Sequence, residues 1–360
     1  MSNSGEMPVS CGQARDPGEF VMTASTPAAA GFHMPAEGAR HARTWMAWPS
    51  RIDLWNGRDV EAKAAYAAVA RAIARFEPLT MVANPADVGE AAAQCGPSVE
   101  VVPMALDDSW MRDIGPTFLV DAAGTLAGAD WRFNAWGDKW PDYASDAAIA
   151  AQVLTQVGCR RFQAPFVLEG GSIHSDGEGT VLTSEQCLLN PNRNPTLSKS
   201  QIEANLKAWL GAEVVIWVGQ GLENDGTDGH VDNLACFARP GVVLATGCQD
   251  PQDANHAPMQ DNLRRLRAAR DARGRALEVL ELPIPAKRVT AGGRLAMAYT
   301  NFYLANGAVI APAFDDPMDA VAAEVLAQAF PDRQIVQIPA LAILEGGGGI
   351  HCITQQQPAV

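Results

Sequence analysis

The sequence predicts an α/β fold in which similar units form a ring around a centre. Helical and strand patterns alternate along the chain, and a pair of strands joined by a glycine-containing turn recurs between helices. The last four predicted helices begin roughly 55–60 residues apart, a spacing typical of repeated structural units. Each unit reads strand, irregular loop, hairpin and helix, which favours a toroidal α/β array over a doubly wound sheet.

The predicted helices carry apolar residues at helical spacing, and they begin near Val60, Ser145, Ser198, Ala257 and Pro317. The first helix is followed by an extra strand and by a short helical stretch around residues 86–94. After each helix comes a hydrophobic run that predicts a strand: LTMVA, RFQAPFVL, VVIWV, LEVLELP and IVQIPALAIL.

Strand pairs between the helices predict hairpins: TFLVD with TLAGADW, SIHSD with TVLTS, LACFA with VVLAT, and FYLA with AVIAPAF. Their connecting segments contain glycine, which adopts a positive φ readily in chain reversals. Each hairpin therefore has a suitable turn in addition to two strand patterns.

Composition allows one large folded core. The chain has 360 residues, of which 48% are hydrophobic and 19% are charged, so global disorder is not expected. The net charge of −14 argues against nucleic acid or an anionic membrane as a partner. It favours a small cationic ligand, or it serves only solubility. We expect residues 1–30 to form a disordered tail and residues 31–360 to form a single catalytic domain.

Seven scattered cysteines form no CxxC pair, and the first 30 residues lack the basic and apolar regions of a secretory signal. No apolar stretch approaches the ~18 residues of a membrane span. We therefore expect a cytoplasmic protein without a disulfide framework or a zinc cluster. The composition also permits a homodimer.

The unusual polar chemistry lies in the loops of the units, in the segments DDSWMRDIGP, LEGGSIH, ENDGTDGHVDN and EGGGGIHCITQQQP. In a ring of equivalent units these loops lie on one side of the centre. The repeat therefore predicts that the following residues meet in one place: Asp113, Glu169, His230, Asp232 and Cys352.

His230 and Asp232 are separated by one residue, and in an extended strand such residues point to the same face. The imidazole could move a proton near neutral pH, and the carboxylate could hold a cation. A satisfied surface pair is the alternative interpretation of this short pattern.

Trp110 and Asp113 supply an aromatic ring and a second carboxylate. A planar guanidinium is bound by carboxylates in its plane and by an aromatic face, so Asp113 and Asp232 could be the carboxylates and Trp110 the wall. A surface pair of Asp113 with Arg112 is the alternative. Glu169 follows a strand and precedes two glycines, where it could face a ligand or brace a turn.

Four successive glycines, residues 346–349, precede Cys352. Such a run suits backbone that passes close to a ligand or turns sharply, and we expect Gly348 and Gly349 to contact the ligand. The ionised thiol of Cys352 could attack a carbon electrophile, whereas a buried thiol in a closing strand is the alternative. In an extended segment His351 would point to the opposite face, so we do not expect it to be the base.

A metal site is the other use of these side chains, with His174, His230, Asp232 and Cys352 as ligands. No two of them show a recognised zinc spacing, and the HExxH motif is absent. We therefore expect no metal and no organic cofactor.

At these segments the chain resembles the agmatine deiminase family, within the superfamily of guanidino-group-modifying enzymes that includes the peptidylarginine deiminases. The resemblance runs from about Gly31 to Pro358 and is carried by MPAEGARHARTWMAWP, DDSWMRDIGPTF, LEGGSIHSDGEGTVLTSEQCLLNPNRNP, DGTDGHVDNLACF, AYTNFYLANGAVIAP and GGGGIHCITQQQP. It implies a five-bladed α/β propeller, or pentein, with the active site at its centre.

The resemblance also implies roles for individual residues. Cys352 matches the family nucleophile and His230 the general acid and base, while Asp113 and Asp232 match the carboxylates that hold the guanidinium. Glu169 and Trp110 match further active-site residues of the family. The implied reaction is hydrolysis of agmatine to N-carbamoylputrescine and ammonia through a covalent amidino-cysteine, a step of putrescine and polyamine biosynthesis.

Three positions differ from the pattern of the family that the chain resembles. Gly38 stands where the family usually has Trp, Gly226 where it commonly has an acidic residue, and Gly349 where it usually has Asn. The alternatives are a deiminase for another small guanidine or for peptidyl arginine, an amidinotransferase, and a non-catalytic guanidine-binding protein.

Overall fold

The fold is described from a computed structural model, which covers residue 1 and residues 26–55 and 57–360. Residues 2–25 of the predicted tail, with Cys11, lie outside the described residues. The described end of that segment contains one turn of 3-10 helix, Ala28–Ala30. Within the described ranges, every helix is too short or too polar to cross a bilayer.

The strands are short, and most of their side chains are buried. In chain order they are β1 (Phe32–His33), β2 (His41–Ala47), β3 (Leu79–Ala83), β4 (Val99–Pro103), β5 (Thr117–Asp121), β6 (Leu126–Arg132), β7 (Arg160–Val167), β8 (Ile173–Ser175), β9 (Thr180–Ser184), β10 (Val214–Val218), β11 (Ala235–Arg239), β12 (Val242–Thr246), β13 (Glu278–Leu282), β14 (Val289–Thr290), β15 (Gly293–Arg294), β16 (Tyr303–Ala305), β17 (Ala308–Ala313), β18 (Gln334–Pro339) and β19 (Thr354–Pro358).

The α-helices comprise five long ones at the predicted positions and several shorter ones. They are α1 (Asp59–Ile73), α2 (Val88–Cys95), α3 (Met111–Ile114), α4 (Ala135–Asp138), α5 (Ile149–Val157), α6 (Glu185–Leu188), α7 (Lys199–Leu210), α8 (His256–Ala268), α9 (Met318–Ala329) and α10 (Leu341–Leu344). Short 3-10 turns at Gly170–Ser172 and Val231–Asn233 matter for the site described below.

Helix α7 shows how local sequence sets the limits of an element. The Ser198 hydroxyl accepts a hydrogen bond from the backbone N–H of Gln201, and the Gln201 side chain accepts one from the N–H of Ser198, which completes a capping box. At the other end Gly211 adopts a left-handed φ of 68°, a conformation that ends helices and favours glycine. The sequence prediction for this helix is confirmed.

The described strands form five main sheets, β1-β5-β6-β7, β10-β9-β8, β11-β12-β13, β16-β17-β18 and β19-β2-β3-β4, and a two-stranded pair, β14-β15. In each main sheet an antiparallel pair is joined by a helix to a parallel strand. The predicted hairpins are confirmed, as β5–β6, β8–β9, β11–β12 and β16–β17. The α/β class is therefore confirmed, with a repeated hairpin–helix–strand unit.

One of the five sheets joins the two ends of the chain. Strand β19 pairs antiparallel with β2, which is followed by the parallel strands β3 and β4. This pairing carries Cys352, two residues before β19, to the N-terminal part of the chain. The largest apolar core accordingly contains residues from both ends, including Trp45, Met46, Ile350 and Cys352.

Two details of the sequence prediction are wrong. The run IVQIPALAIL is not one strand, because β18 ends at Pro339, which has no N–H to continue the ladder. The rest of that run forms α10. His230 and Asp232 do not lie in an extended strand either, because the N–H of Asn233 donates to the carbonyl of His230 and makes a tight turn.

Candidate active site

A cavity of about 220 Å³ lies where the glycine-rich segment before β19 meets α3 and α4. Three tryptophans, two aspartates and the predicted nucleophile line it, in the set Leu54, Asp108, Trp110, Asp113, Trp136, Lys139, Trp140, Gly226, Thr227, Gly346, Gly347, Gly348 and Cys352. Aromatic faces and carboxylates around one small cavity suit a flat organic cation.

Cys352 lies in a tight turn, and its backbone carbonyl accepts a hydrogen bond from the N–H of Arg112 at 3.1 Å. Its Sγ lies 3.2 Å from Nδ2 of Asn301 and 3.6 Å from Oδ2 of Asp232. Burial and the charges of Asp232 and Asp113 raise the pKa of the Cys352 thiol well above its ordinary value. The thiol is therefore protonated when no cation occupies the cavity.

Asp113 extends from the one-turn helix α3. Its Oδ2 accepts a hydrogen bond from Nε1 of Trp136 at 2.8 Å, and its Oδ1 accepts one from the N–H of Gly171 at 2.9 Å. Burial, together with the charge of Asp232, raises the pKa of Asp113 although His230 opposes the shift. These two donors fix the plane of the carboxylate at the cavity wall.

Gly171 occupies the centre of the polar cluster. A Cβ at this position would lie 2.5 Å from Nδ1 of His230, 2.9 Å from Oδ2 of Asp232 and 3.0 Å from Oδ1 of Asp113. No other residue fits without moving these groups. The two glycines after Glu169 therefore allow close approach, as their position in the sequence suggested.

His230 is fully buried, and neither of its ring nitrogens makes a hydrogen bond within the described structure. Its Nδ1 lies 3.9 Å from Oδ2 of Asp113, and its Nε2 lies 3.9 Å from Oε2 of Glu169. Burial disfavours the imidazolium, but Asp113, Cys187 and Glu169 outweigh it and raise the pKa of His230 well above its ordinary value. A charged imidazole with free nitrogens can donate a proton.

Glu169 lies behind His230 and is held by Arg193, whose Nε donates to Oε1 at 2.5 Å. Arg193 also donates to Oδ2 of Asp228 at 2.7 Å and to the carbonyl of Thr227 at 3.0 Å. Burial opposes ionisation of Glu169, yet Arg193 and His230 hold its pKa below the ordinary value. The carboxylate is therefore charged and orients the imidazole.

Asp232 lies beside Cys352 and is held by His351. Nδ1 of His351 lies 2.9 Å from Oδ2 of Asp232, and its Nε2 lies 2.9 Å from Oε2 of Glu37. Arg112 is buried and pairs with Glu37 at 3.3 Å. The predicted alternative, a surface pair of Arg112 with Asp113, is therefore wrong.

The pKa values in this network follow from its charges. Burial disfavours ionisation of Asp232, but the hydrogen bond and the charge of His351 hold the pKa of that carboxyl below its ordinary value. Burial and Arg112 disfavour the imidazolium of His351, yet Glu37 and Asp232 raise its pKa. Oδ1 of Asp232 is buried and has no hydrogen-bond partner in the described structure.

A metal could be held by one group of side chains in the described part of the chain. Oxygen, sulfur and nitrogen atoms of Glu169, Cys187 and His230 lie within 4.8 Å of one another. The set considered from the sequence is not this group, because His174 lies against Glu37 at 3.5 Å. Arg193 already occupies one oxygen of Glu169, which favours a charged hydrogen-bond network there over a metal centre.

Of the five residues predicted to contact the ligand, three line the cavity, and Asp232 and Gly349 do not. Trp110 and Gly348 line it, and a Cβ at residue 348 would lie 2.5 Å from Cζ3 of Trp110. Gly349 is not among the lining residues and instead packs against Asn301. Neighbouring glycines of the run therefore pack against different side chains, Trp110 beside Gly348 and Asn301 beside Gly349.

Sequence reasoning missed four residues that contact the predicted site. These are Glu37, Arg112, Trp136 and Asn301. Glu37 and Asn301 lie inside the motifs MPAEGARHARTWMAWP and AYTNFYLANGAVIAP, so their types were visible but their partners were not. No spacing rule links them to Cys352, because each contact is made between distant segments.

The fold is of the α/β class, and its candidate site brings a buried cysteine close to carboxylates from separate segments of the chain. The sequence model of the Porphyromonas-type peptidyl-arginine deiminase family matches residues 33–358. This match covers most of the chain, and the chain belongs to that family.

Individual relatives are similar over nearly their full length. Agmatine deiminase of Stutzerimonas stutzeri (strain A1501) is 49% identical, with 93% of this chain and 98% of the relative covered. The solved agmatine deiminase of Enterococcus faecalis has a TM-score of 0.91 at 37% identity, covering 94% of this chain and 99% of that one. A substrate-bound agmatine deiminase of C. jejuni has a TM-score of 0.84 at 30% identity, covering 91% and 96%.

Proposed function

We propose that the protein hydrolyses agmatine to N-carbamoylputrescine and ammonia, with Cys352 as the covalent nucleophile. The observation that carries this proposal is the convergence of a thiol, an imidazole and two carboxylates from separate segments, of which the thiol of Cys352 and the carboxylate of Asp113 line one small cavity. The names of the similar proteins support agmatine as the substrate.

The guanidinium would bind between Asp113 and Asp232. Asp113 presents a carboxylate at the cavity wall, and Oδ1 of Asp232 lacks a hydrogen-bond partner in the described structure. The rings of Trp110 and Trp136 line the same cavity and offer faces to the planar cation. Charge-assisted bonds to two carboxylates would orient the guanidinium carbon toward Sγ of Cys352.

Substrate binding would activate the thiol. In the empty site burial, Asp232 and Asp113 hold the pKa of Cys352 high. A bound guanidinium neutralises that negative field, so the thiol loses its proton to water and becomes a thiolate. The thiolate then forms a carbon–sulfur bond with the guanidinium carbon.

His230 would move the protons of the following steps. As imidazolium it protonates one amino group of the adduct, the carbon–nitrogen bond breaks, and ammonia leaves an amidino group on Cys352. The neutral imidazole next takes a proton from water, whose oxygen bonds to the same carbon. The carbon–sulfur bond breaks, the thiolate is restored, and the ureido product gives its extra proton to solvent.

We further propose that the five sheets close as five blades of a propeller around this site. The pairing of β19 with β2 supports closure, because it joins the two ends of the chain in one sheet. The six described cysteines are free thiols, which supports a location in the reducing cytoplasm.

One observation favours a guanidine other than agmatine as the second candidate. Gly226 at the cavity wall carries no charge, and Nζ of Lys139 donates to its carbonyl at 2.6 Å and lies 2.8 Å from Oδ2 of Asp228. A cationic side chain at this end of the cavity disfavours a second ammonium group in the substrate.

Ammonia release tests both candidates with agmatine, arginine, 4-guanidinobutyrate and butylguanidine side by side. Release that is strongest with agmatine supports the proposal, and release only with another guanidine supports the second candidate. Cys352→Ala should abolish release, whereas the matched control Cys248→Ala, a buried thiol outside the cavity, should retain it. Substantial turnover by Cys352→Ala would contradict the mechanism.

Ammonia release without an amine acceptor would also exclude an amidinotransferase. No release from any guanidine, by a folded protein, would instead favour the transferase or the non-catalytic binding protein. Transfer of the amidino group to an added primary amine by the wild-type protein would then separate those two, because only the transferase forms that product.

A further inference from the structure

Asn301 contacts the thiol of Cys352 and is a neutral neighbour of the sulfur, unlike the aspartates of the sequence motifs. It follows α8 and β15 in the chain, four residues after Met297, and only 2% of its surface is exposed. Its Nδ2 lies 3.2 Å from Sγ of Cys352, and its Oδ1 lies 3.6 Å from the same atom. None of the sequence patterns assigned a role to this residue.

The orientation of the Asn301 amide is fixed by two neighbours. Its Oδ1 accepts a hydrogen bond from the N–H of His351 at 2.9 Å, and its Nδ2 donates to Oδ1 of Asn233 at 2.9 Å. Asn233 is itself oriented, because its Nδ2 donates to Oδ2 of Asp225 at 3.4 Å. A flipped Asn301 amide would place oxygen against oxygen and N–H against N–H, so the amino group must face Sγ.

We propose that Asn301 is a positioning residue, whose Nδ2 holds Sγ of Cys352 in place and donates a hydrogen bond to the thiolate. This inference rests on the proposed role of Cys352 as nucleophile. Asp232 and Asp113 both disfavour a negative sulfur, and Asn301 supplies a neutral donor that favours it. An amide is suited to this task because a carboxylate would add a third negative charge.

Gly349 makes this arrangement possible. A Cβ at residue 349 would overlap Oδ1 of Asn301 and lie 2.7 Å from its Cγ. Any larger residue therefore displaces the Asn301 amide from Sγ. In this chain the close approach of Asn301 leaves no room for a side chain at residue 349.

Several other titratable groups surround the thiol, and each must remain in place for the test to report on Asn301. They are Asp113 on α3, Asp232 in the Val231–Asn233 turn, Asp108 in the cavity wall, His230, His351, Arg112 and Tyr66. Loss of a donor to the thiolate raises the pKa of Cys352. The rate of Cys352 alkylation rises with pH as the thiolate forms, and we call this rise the acid limb. A higher pKa of Cys352 moves the acid limb to higher pH.

The experiment measures alkylation of Cys352 by iodoacetamide across pH, followed by mass mapping of the peptide that carries Cys352. Asn301→Ala should move the acid limb up by about one pH unit and slow alkylation below the limb about tenfold. Asn301→Asp should have a larger effect of the same sign. In turnover, kcat should fall about tenfold with little change of KM, since Asn301 contacts sulfur rather than substrate.

Asn262→Asp is the matched control, because Asn262 is equally buried at 2% exposure and lies on α8, with its Oδ1 bound to the N–H of Gly219. It should leave the acid limb unchanged. An unshifted limb in folded Asn301→Ala would overturn the proposal. Should that variant fail to fold, Gly349→Ala displaces the same amide, and an unshifted limb there would overturn it equally.

The alkylation requires no turnover. If the wild-type protein released no ammonia from any guanidine, the proposed reaction would be wrong. The shifted limb of Asn301→Ala would still establish the contact between the amide and the thiolate. The two proposals therefore fail separately.

Discussion

Two buried histidines flank the candidate site, and their surroundings differ. His351 has both ring nitrogens engaged, 2.9 Å from Asp232 and 2.9 Å from Glu37. His230 lies 3.9 Å from its nearest carboxylates, those of Asp113 and Glu169, and makes no ring hydrogen bond in the described structure. Nearby carboxylates raise the pKa of both imidazoles against the effect of burial.

The comparison shows that a raised pKa does not by itself identify a proton donor. An imidazolium bound at both nitrogens cannot release a proton without leaving a buried carboxylate unpaired. An imidazolium with free nitrogens can give its proton to a substrate. We therefore assign proton transfer to His230 and the holding of Asp232 to His351.

The largest effect is expected from His230→Gln. Removal of the proton donor should lower kcat by about 10²–10⁴, while the free energy of unfolding should fall less than in His351→Gln, because His230 lies 3.9 Å from its carboxylates. Steady-state ammonia release and urea unfolding of the same preparation check both parts. Retention of more than about a tenth of the wild-type kcat would reverse the assignment.

His351→Gln should show the opposite pattern. Glu37 and Asp232 each lose a charged partner in a buried network, so the free energy of unfolding should fall by about 3–5 kcal/mol. Turnover per folded molecule should fall less than in His230→Gln. Unchanged urea stability would mean that the network does not hold this part of the fold.

Cation-assisted activation of the thiol predicts selective labelling. The cationic reagent 2-chloroacetamidine should alkylate Cys352 at least about tenfold faster than neutral chloroacetamide, because its charge offsets Asp113 and Asp232. Asp113→Asn should narrow that ratio. Equal rates for the two reagents in the wild-type protein would show that the carboxylates do not control the thiol.

The smallest expected effect is a shift in histidine titration. Asp113 favours the charged form of His230, so Asp113→Asn should lower the pKa of His230 by about one pH unit. The pKa of His351 should change less, because Glu37 and Asp232 are its direct partners. NMR of the ring protons of both histidines across pH measures these two pKa values. Equal changes in the pKa of His230 and His351 would contradict the separation of their roles.

Sequence patterns predicted the scaffold well because its elements depend on neighbours in the chain. The helices near Ser198 and Pro317 and the hairpins between the helices formed as expected, since apolar periodicity and glycine turns act within a few residues. The prediction was wrong at two places where the backbone leaves an extended conformation. Pro339 ended β18, and a turn at His230 replaced the expected strand.

The candidate site was predicted less completely. Asp113, Glu169, His230, Asp232 and Cys352 were predicted to meet from their positions in the units, and the structure brings them together. The residues that hold these side chains in place were not predicted. Gly349, expected at the ligand, contacts Asn301, and His351, expected on an opposite face, holds Asp232.

The α/β class, the order of the units and the residue types available for chemistry follow from local periodicity and composition, so the amino-acid sequence was enough to predict them. Tertiary contacts set which histidine has ring nitrogens without a hydrogen bond and which amide faces the thiol. Those properties depend on contacts such as that of His351 with Glu37, 314 positions apart in the chain. No local pattern encodes such a contact, because the packing of distant segments sets the distance between its partners.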